Sequence, residues 1–172
     1  MAFRYCTTRS FSEWTFLTCA VSVEAAEAVV EVTEVGCGIK WVNDLYIRER
    51  KVGGILTEFC QAPDGKRCVG GHRHLKMDEL SCRNSDRAGS LGLTQDLRTS
   101  LCVTLTRALL RLLTAMEDGT EDRTELLCHY RERSILLGRQ INYVQNGTAI
   151  PAIVLGIRED GALLVCGADG RK

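Results

Sequence analysis

The sequence predicts an α+β fold: a sheet with helices packed on it, followed by a small all-strand end. Three observations predict it. An alanine- and valine-rich helical pattern leads directly into strand-like runs. Two leucine-rich helical patterns occupy the middle of the chain, and short strands alternate with turn signals at the end. A chain of 172 residues with 45% hydrophobic and 26% charged residues makes one domain, or one plus a small appendage.

In chain order, residues 15–35 read as a helix with Leu17, Val21, Ala25, Ala28 and Val32 on one stripe. Glu24, Glu27, Glu31 and Glu34 lie largely off that stripe, and Gly36 and Gly38 end the helix. GIKWVNDLYI (38–47) reads as a strand running into a polar turn, and VGGILTEF (52–59) as a second strand beyond the charged tip 48–51. Residues 60–87 show neither a helical nor a strand period. A helix follows with Thr94 as cap, Asp96 in its first turn, and Leu97, Leu101, Leu105, Leu109, Leu112 and Met116 at helical spacing. Thr120, Glu121 and Asp122 open another helix, which Gly138 closes. QINYV, TAIPAIVLGI and ALLVC then form three strands, turned at Asn146-Gly147 and at Glu159-Asp160-Gly161. This meander must dock on the helices or on a partner to bury a face.

Composition excludes several classes. With 22 basic and 22 acidic residues there is no net charge to attract nucleic acid or an anionic membrane. The apolar run Trp14–Val23 reads as part of a helix rather than a signal segment, no stretch reads as a membrane span, and the expected location is cytoplasmic. Nine cysteines, an odd number with scattered spacing, read as thiols in a reducing compartment. Cys60, Cys68, His72, His74 and Cys82 lack the paired spacing of a zinc site, so no metal is expected there. His129 reads as a surface or interhelical histidine.

The window richest in chemistry is Gly38 to Glu58. Lys40 closes an apolar run, so its ammonium is placed to neutralise a carboxylate or phosphate. Asn43 and Asp44 stand where the strand turns, positioned to orient that lysine or a ligand. Gly53 and Gly54, within a strand, suit close approach of a flat apolar ligand. A snorkelling lysine, an Asn-Asp turn and a glycine bulge explain the same residues without a ligand.

GIKWVNDLYI followed by KVGGILTE resembles the biotin protein ligase family, the biotin–[acetyl-CoA-carboxylase] ligases. Their catalytic domain carries K-W-P-N-D-L and then K-x-x-G-I-L-x-E; here Val42 stands in place of the proline. HYRERSILLGRQINYV and GIREDGALLV fit the family's C-terminal part, so the resemblance covers roughly residues 15–58 and 88–166. It implies a partial class II synthetase-like catalytic domain with a mixed sheet over 1–134, with 60–87 divergent, and an SH3-like barrel over 135–172.

The implied reaction joins biotin and ATP, with Mg2+, into biotinyl-5′-adenylate. The biotinyl group then passes to a lysine of a biotin carboxyl carrier protein, and no tightly bound cofactor is needed. Lys40 is the implied catalytic residue, with Trp41, Asn43, Asp44, Gly53 and Gly54 around biotin and adenylate. The family's G-R-G-R-x-G-R loop does not occur in residues 1–14, and CVGGHRHLKMDELSC stands where a G-I-G-I-N strand is expected. The resemblance therefore implies a ligase of impaired activity; the alternative is a non-catalytic remnant that dimerises or binds a carrier. A homodimer is compatible with either.

Overall fold

The computed structural model describes residues 2–61, 67–75 and 90–167. Strand β1 (Ala2–Thr7) and a short turn of 3-10 helix (Phe11–Trp14) precede helix α1 (Leu17–Thr33). Strands β2 (Gly38–Lys40), β3 (Asp44–Ile47), β4 (Arg50–Gln61) and β5 (Arg67–Leu75) follow. Helices α2 (Gln95–Asp118) and α3 (Arg123–Arg133) lead to β6 (Gln140–Gln145), β7 (Thr148–Ile157) and β8 (Leu163–Gly167). The α+β class is as the sequence predicts.

The first five strands form one sheet in the order β1-β5-β4-β3-β2, and the last three a second sheet in the order β6-β7-β8. The expected mixed sheet is instead antiparallel at every named pairing, with short reversals joining β2 to β3 and β3 to β4. The isolated bridge Ile39–Ser134 runs parallel and ties the chain beyond α3 to the β2 edge. Gly38 makes room for this contact: a Cβ there would lie 2.4 Å from Ile135 Cγ2.

Helix α1 lies between the sheet on one side and α2 and α3 on the other. Leu17, Val21, Ala25 and Ala28 of the expected stripe are buried, and Val32 packs partly buried against the core. Cys19, Ala20, Val23, Ala26 and Val29 are buried as well. A helix covered on two sides needs small side chains so that its neighbours can approach, hence its alanines and its cysteine. It ends at Glu34, in the left-handed region at φ 56°, whose N–H donates to the Val30 carbonyl at 2.8 Å. The helix thus ends before Gly36 and Gly38, the glycines expected to end it, with a left-handed glutamate as its cap.

Thr94 caps α2 as expected, its Oγ1 accepting the Leu97 N–H at 3.4 Å. By length and composition α2 is long and apolar enough to cross a membrane, contrary to the expectation that no stretch reads as a span. Leu101, Leu105, Leu109, Leu112 and Met116 from its stripe are buried in the common core instead. Helix α3 starts later than expected: Asp122 is its cap, accepting the N–H groups of Thr124 and Glu125, and the helix ends at Arg133 rather than at Gly138.

Two further expectations are corrected. Residues 38–47 are not one strand but two, β2 and β3, reversing at 41–43. Residues 67–75, expected to lack regular structure, form β5 in the interior of the sheet. Its period is hidden by Gly70 and Gly71, and the Phe3 ring of β1 fills the place of a side chain at Gly71, where a Cβ would sit 2.3 Å from Phe3 Cε1. Residues 62–66 and 76–89, with Cys82, lie outside the described residues.

The three terminal strands follow the expected meander, with turns at Asn146-Gly147 and before β8. Gly161, at φ 83°, carries the turn onto α1, where a Cβ would come within 2.8 Å of Cys19 Sγ. Only glycine combines that backbone with that approach.

Leu105, 2% exposed, and Leu110, 55% exposed, sit on opposite sides of α2. Leu105→Ala should lower unfolding free energy by about 2–5 kcal/mol. Leu110→Ala should change it by about 0.5 kcal/mol or less, both read from urea midpoints.

Candidate functional site

The β2–β3 reversal carries Trp41, Val42 and Asn43, and every one of them is tied down by a distant part of the chain. Trp41 Nε1 donates to the Gly161 carbonyl at 2.9 Å, linking the reversal to the β7–β8 turn. The Val42 carbonyl accepts from Tyr130 Oη of α3 at 3.0 Å and from Ser22 Oγ of α1 at 3.3 Å. The Trp41–Val42 peptide is cis, at the position where the family motif has proline. Asn43 Nδ2 donates to the Ile55 carbonyl, and the Ile55 N–H donates back to the Asn43 carbonyl at 3.0 Å. Asn43 thus splices the reversal onto β4, and its side chain is occupied by that task.

Beyond the reversal the register decides what meets. Lys40 opposes Asp44, and Asp44 opposes Gly54, so all three lie on the sheet face away from α1. Asp44 Oδ1 is 2.5 Å from Lys51 Nζ. A Cβ at Gly54 would stand 3.2 Å from Asp44 Oδ1 and 3.6 Å from Lys51 Cε. The missing side chain at Gly54 therefore leaves a bare patch of sheet beside an ion pair. Leu56, two residues along the same face, is 53% exposed and extends the patch as apolar surface. Gly53 is buried on the α1 side, opposite Leu45.

Lys40 is exposed, and its ammonium lies 5.8 Å from the centre of the Tyr46 ring, a cation–π distance. It lines a cavity of about 330 Å³ with Tyr46, Arg48, Ile135 and Arg139. Of the residues singled out from sequence, the fold brings Lys40, Asp44 and Gly54 onto one face, while Trp41 bonds to the β7–β8 turn, Asn43 bonds to β4 and Gly53 lies on the opposite face. Sequence reasoning missed Lys51 and Leu56 as members of the patch. A signal for Lys51 was present, since it opens the segment KVGGILTE that carries the resemblance; its pairing with Asp44 was not.

Beneath the reversal the environment is apolar. Burial pushes the Cys19 thiol up to about 12 and the Cys37 thiol to about 11. It also pushes the Tyr130 phenol well above its ordinary range. His129, expected between helices or at the surface, bridges α3 to α1, with Nδ1 3.0 Å from Glu27 Oε1. Among the described residues, no group of three or more His, Cys, Asp or Glu side chains is placed to hold a metal ion.

Comparison with known proteins agrees with this architecture. Residues 7–66 match the model of the Biotin/lipoate A/B protein ligase family. The structure superimposes on the apo biotin protein ligase of Aquifex aeolicus with a TM-score of 0.80 at 23% identity, covering 99% of this chain and 76% of that one. The same ligase in complex with biotin and ATP gives a TM-score of 0.74 at 23% identity, over 99% and 73% of the two chains. A biotin protein ligase-like protein of unknown function from Silicibacter sp. TM1040 gives 0.73 at 15% identity, over 97% and 74%. No curated protein matches by sequence. The fold is that of biotin protein ligases.

A raised thiol pKa makes stability depend on pH. Above its ordinary value of 9.0 an unfolded thiol loses its proton, while Cys19 and Cys37 keep theirs in the folded state. The folded state then binds more protons, so stability falls as pH rises. Between about pH 8 and about pH 9.5 the two thiols together should cost roughly 1–2 kcal/mol, read from urea midpoints. The double variant Cys19→Ala/Cys37→Ala should show a flatter profile.

Proposed function

We propose that this chain is a biotin–protein ligase that forms biotinyl-5′-adenylate on the open sheet face around Gly54. The single observation that carries the reading is the convergence of Lys51, Asp44 and Gly54, with exposed Leu56 beside them, on a reversal braced by three distant elements. The sequence resemblance and the fold support it.

In the first step an oxygen of the biotin carboxylate attacks the α-phosphorus of ATP and pyrophosphate leaves. Negative charge gathers on the phosphoryl oxygens, and the Lys51 ammonium offsets it, with Lys40 on the same face adding a longer-range contribution. Asp44 holds Lys51 in place beforehand. A carboxylate here is also suited to meet the Mg2+ that arrives with ATP, releasing Lys51 toward the phosphate. The bare sheet at Gly54 and the apolar Leu56 would receive the rings of biotin. In the second step the amine of a carrier-protein lysine attacks the acyl carbon, and AMP leaves.

Turnover is proposed to be slow, because Asp44, 2.5 Å from Lys51, competes with the phosphate for that ammonium until Mg2+ draws the carboxylate away. Within this reading residues 1–134 act as the catalytic part and 135–172 as the small C-terminal domain. The carrier is a biotin carboxyl carrier protein, and the setting is the cytoplasm. The second reading, a non-catalytic module that pairs with itself or with a carrier, rests on the exposed Leu56.

The test is mass spectrometry of the products formed from biotin, ATP and Mg2+. Biotinyl-5′-adenylate should appear, and Lys51→Ala should cut its rate on the order of 100-fold. Lys40→Ala should cut it less, and His129→Ala should leave it unchanged. A folded chain that yields no adenylate would refute the ligase reading and favour the binding module.

A further inference from the structure

Three cysteines lie side by side across the sheet at the end away from Gly54. Cys6 of β1 opposes Cys68 of β5, and Cys68 opposes Cys60 of β4, so the three thiols form a row on one face. Cys6 and Cys60 are exposed, and Cys68 between them is fully buried. The Cys6 and Cys68 sulfurs are 3.7 Å apart. Arg4, two residues before Cys6 and on the same face, places Nη2 3.2 Å from Cys68 Sγ. Chain positions 6, 60 and 68 suggest no pairing; the register of three strands produces it.

We propose that Cys6 and Cys68 are a dithiol site that a hydroperoxide oxidises to an intrachain disulfide, with Arg4 as the positioning residue. The exposed Cys6 thiolate attacks the peroxide O–O bond, taking one oxygen as sulfenic acid and releasing the other as water or an alcohol. The Cys68 thiol, beside the Arg4 guanidinium, then attacks the Cys6 sulfur; its proton joins the departing hydroxide, which leaves as water. In sum two thiols lose two protons and two electrons, and the peroxide accepts them. Directly opposed residues have Cβ atoms about 4.5–5.5 Å apart, and a disulfide wants about 3.5–4.5 Å, so a small inward shift suffices. Among the described residues strand β1 is the edge of the sheet, paired with β5 alone, and can make that shift. Cys60 is the neighbouring thiol to which the bond could exchange. The site is independent of the ligase reading, since Cys60 is six residues, about 20 Å of strand, from Gly54.

The experiment treats the full chain with limiting hydrogen peroxide, blocks remaining thiols, and maps tryptic peptides without reduction. Trypsin places Cys6, Cys60 and Cys68 on separate peptides, 5–9, 52–66 and 68–73. The expected product is 5–9 joined to 68–73, two hydrogens lighter than its parts, formed before Cys102 and Cys128 on the helices are modified. Arg4→Leu should slow the bond about three-fold or more and raise dimedone-trapped sulfenic acid at Cys6; Arg4→Lys should restore most of the rate. Arg4 is exposed, so neither variant threatens the fold. The proposal is overturned if 52–66 joined to 68–73 predominates, or if Cys102 and Cys128 react first. An unchanged rate in Arg4→Leu overturns the part assigned to Arg4.

Discussion

The arrangement of this protein depends on the backbone carbonyl of Val42. A reversal between two short strands leaves carbonyl groups that the ladder cannot satisfy, and a buried carbonyl without a donor costs about 1–3 kcal/mol. Here the donors come from far away: Tyr130 from α3 and Ser22 from α1. Trp41 reaches across to the Gly161 carbonyl, and Asn43 turns inward to β4. One tight bend thereby joins both helical layers and both sheets. The side chains that remain outward at the bend, Lys40 and Asp44, inherit their positions from these inward bonds.

That division explains why residues adjacent in sequence have different tasks. Trp41 and Asn43 carry polar groups, yet those groups are committed to backbone partners and hold the site's shape. Asp44 and Lys51 make an ion pair that is 26% and 43% exposed, a geometry worth little to stability. Its weight is electrostatic: it sets a cation and an anion beside bare sheet, where an anionic ligand can compete for the cation.

The thiols divide along similar lines. Cys19 and Cys37 sit in apolar surroundings where burial suppresses ionisation, and they serve as packing. Cys68 is equally buried but touches an arginine and faces another sulfur. Burial alone does not decide a cysteine's chemistry; the charge beside it and the thiol within reach do.

The sequence by itself determined the α+β class, the helices with their Thr94 cap, the terminal meander and the segment that bears the candidate site. These follow from local physics: periodicity, capping and turn chemistry act over a few residues and are written there. It could not show that β5 is a strand, because the feature that fills Gly71 is a ring on β1. Nor could it show that Asp122, not Thr120, caps α3, since several oxygen-bearing residues in a row compete for one role. The pairing of Asp44 with Lys51, the bracing of Val42 by Tyr130 and the row of Cys6, Cys68 and Cys60 were decided by tertiary structure alone. Each depends on strand register or helix packing, for Val42 and the cysteine row between residues far apart in the chain, and register is fixed when a whole face is buried, not by the residues that meet across it.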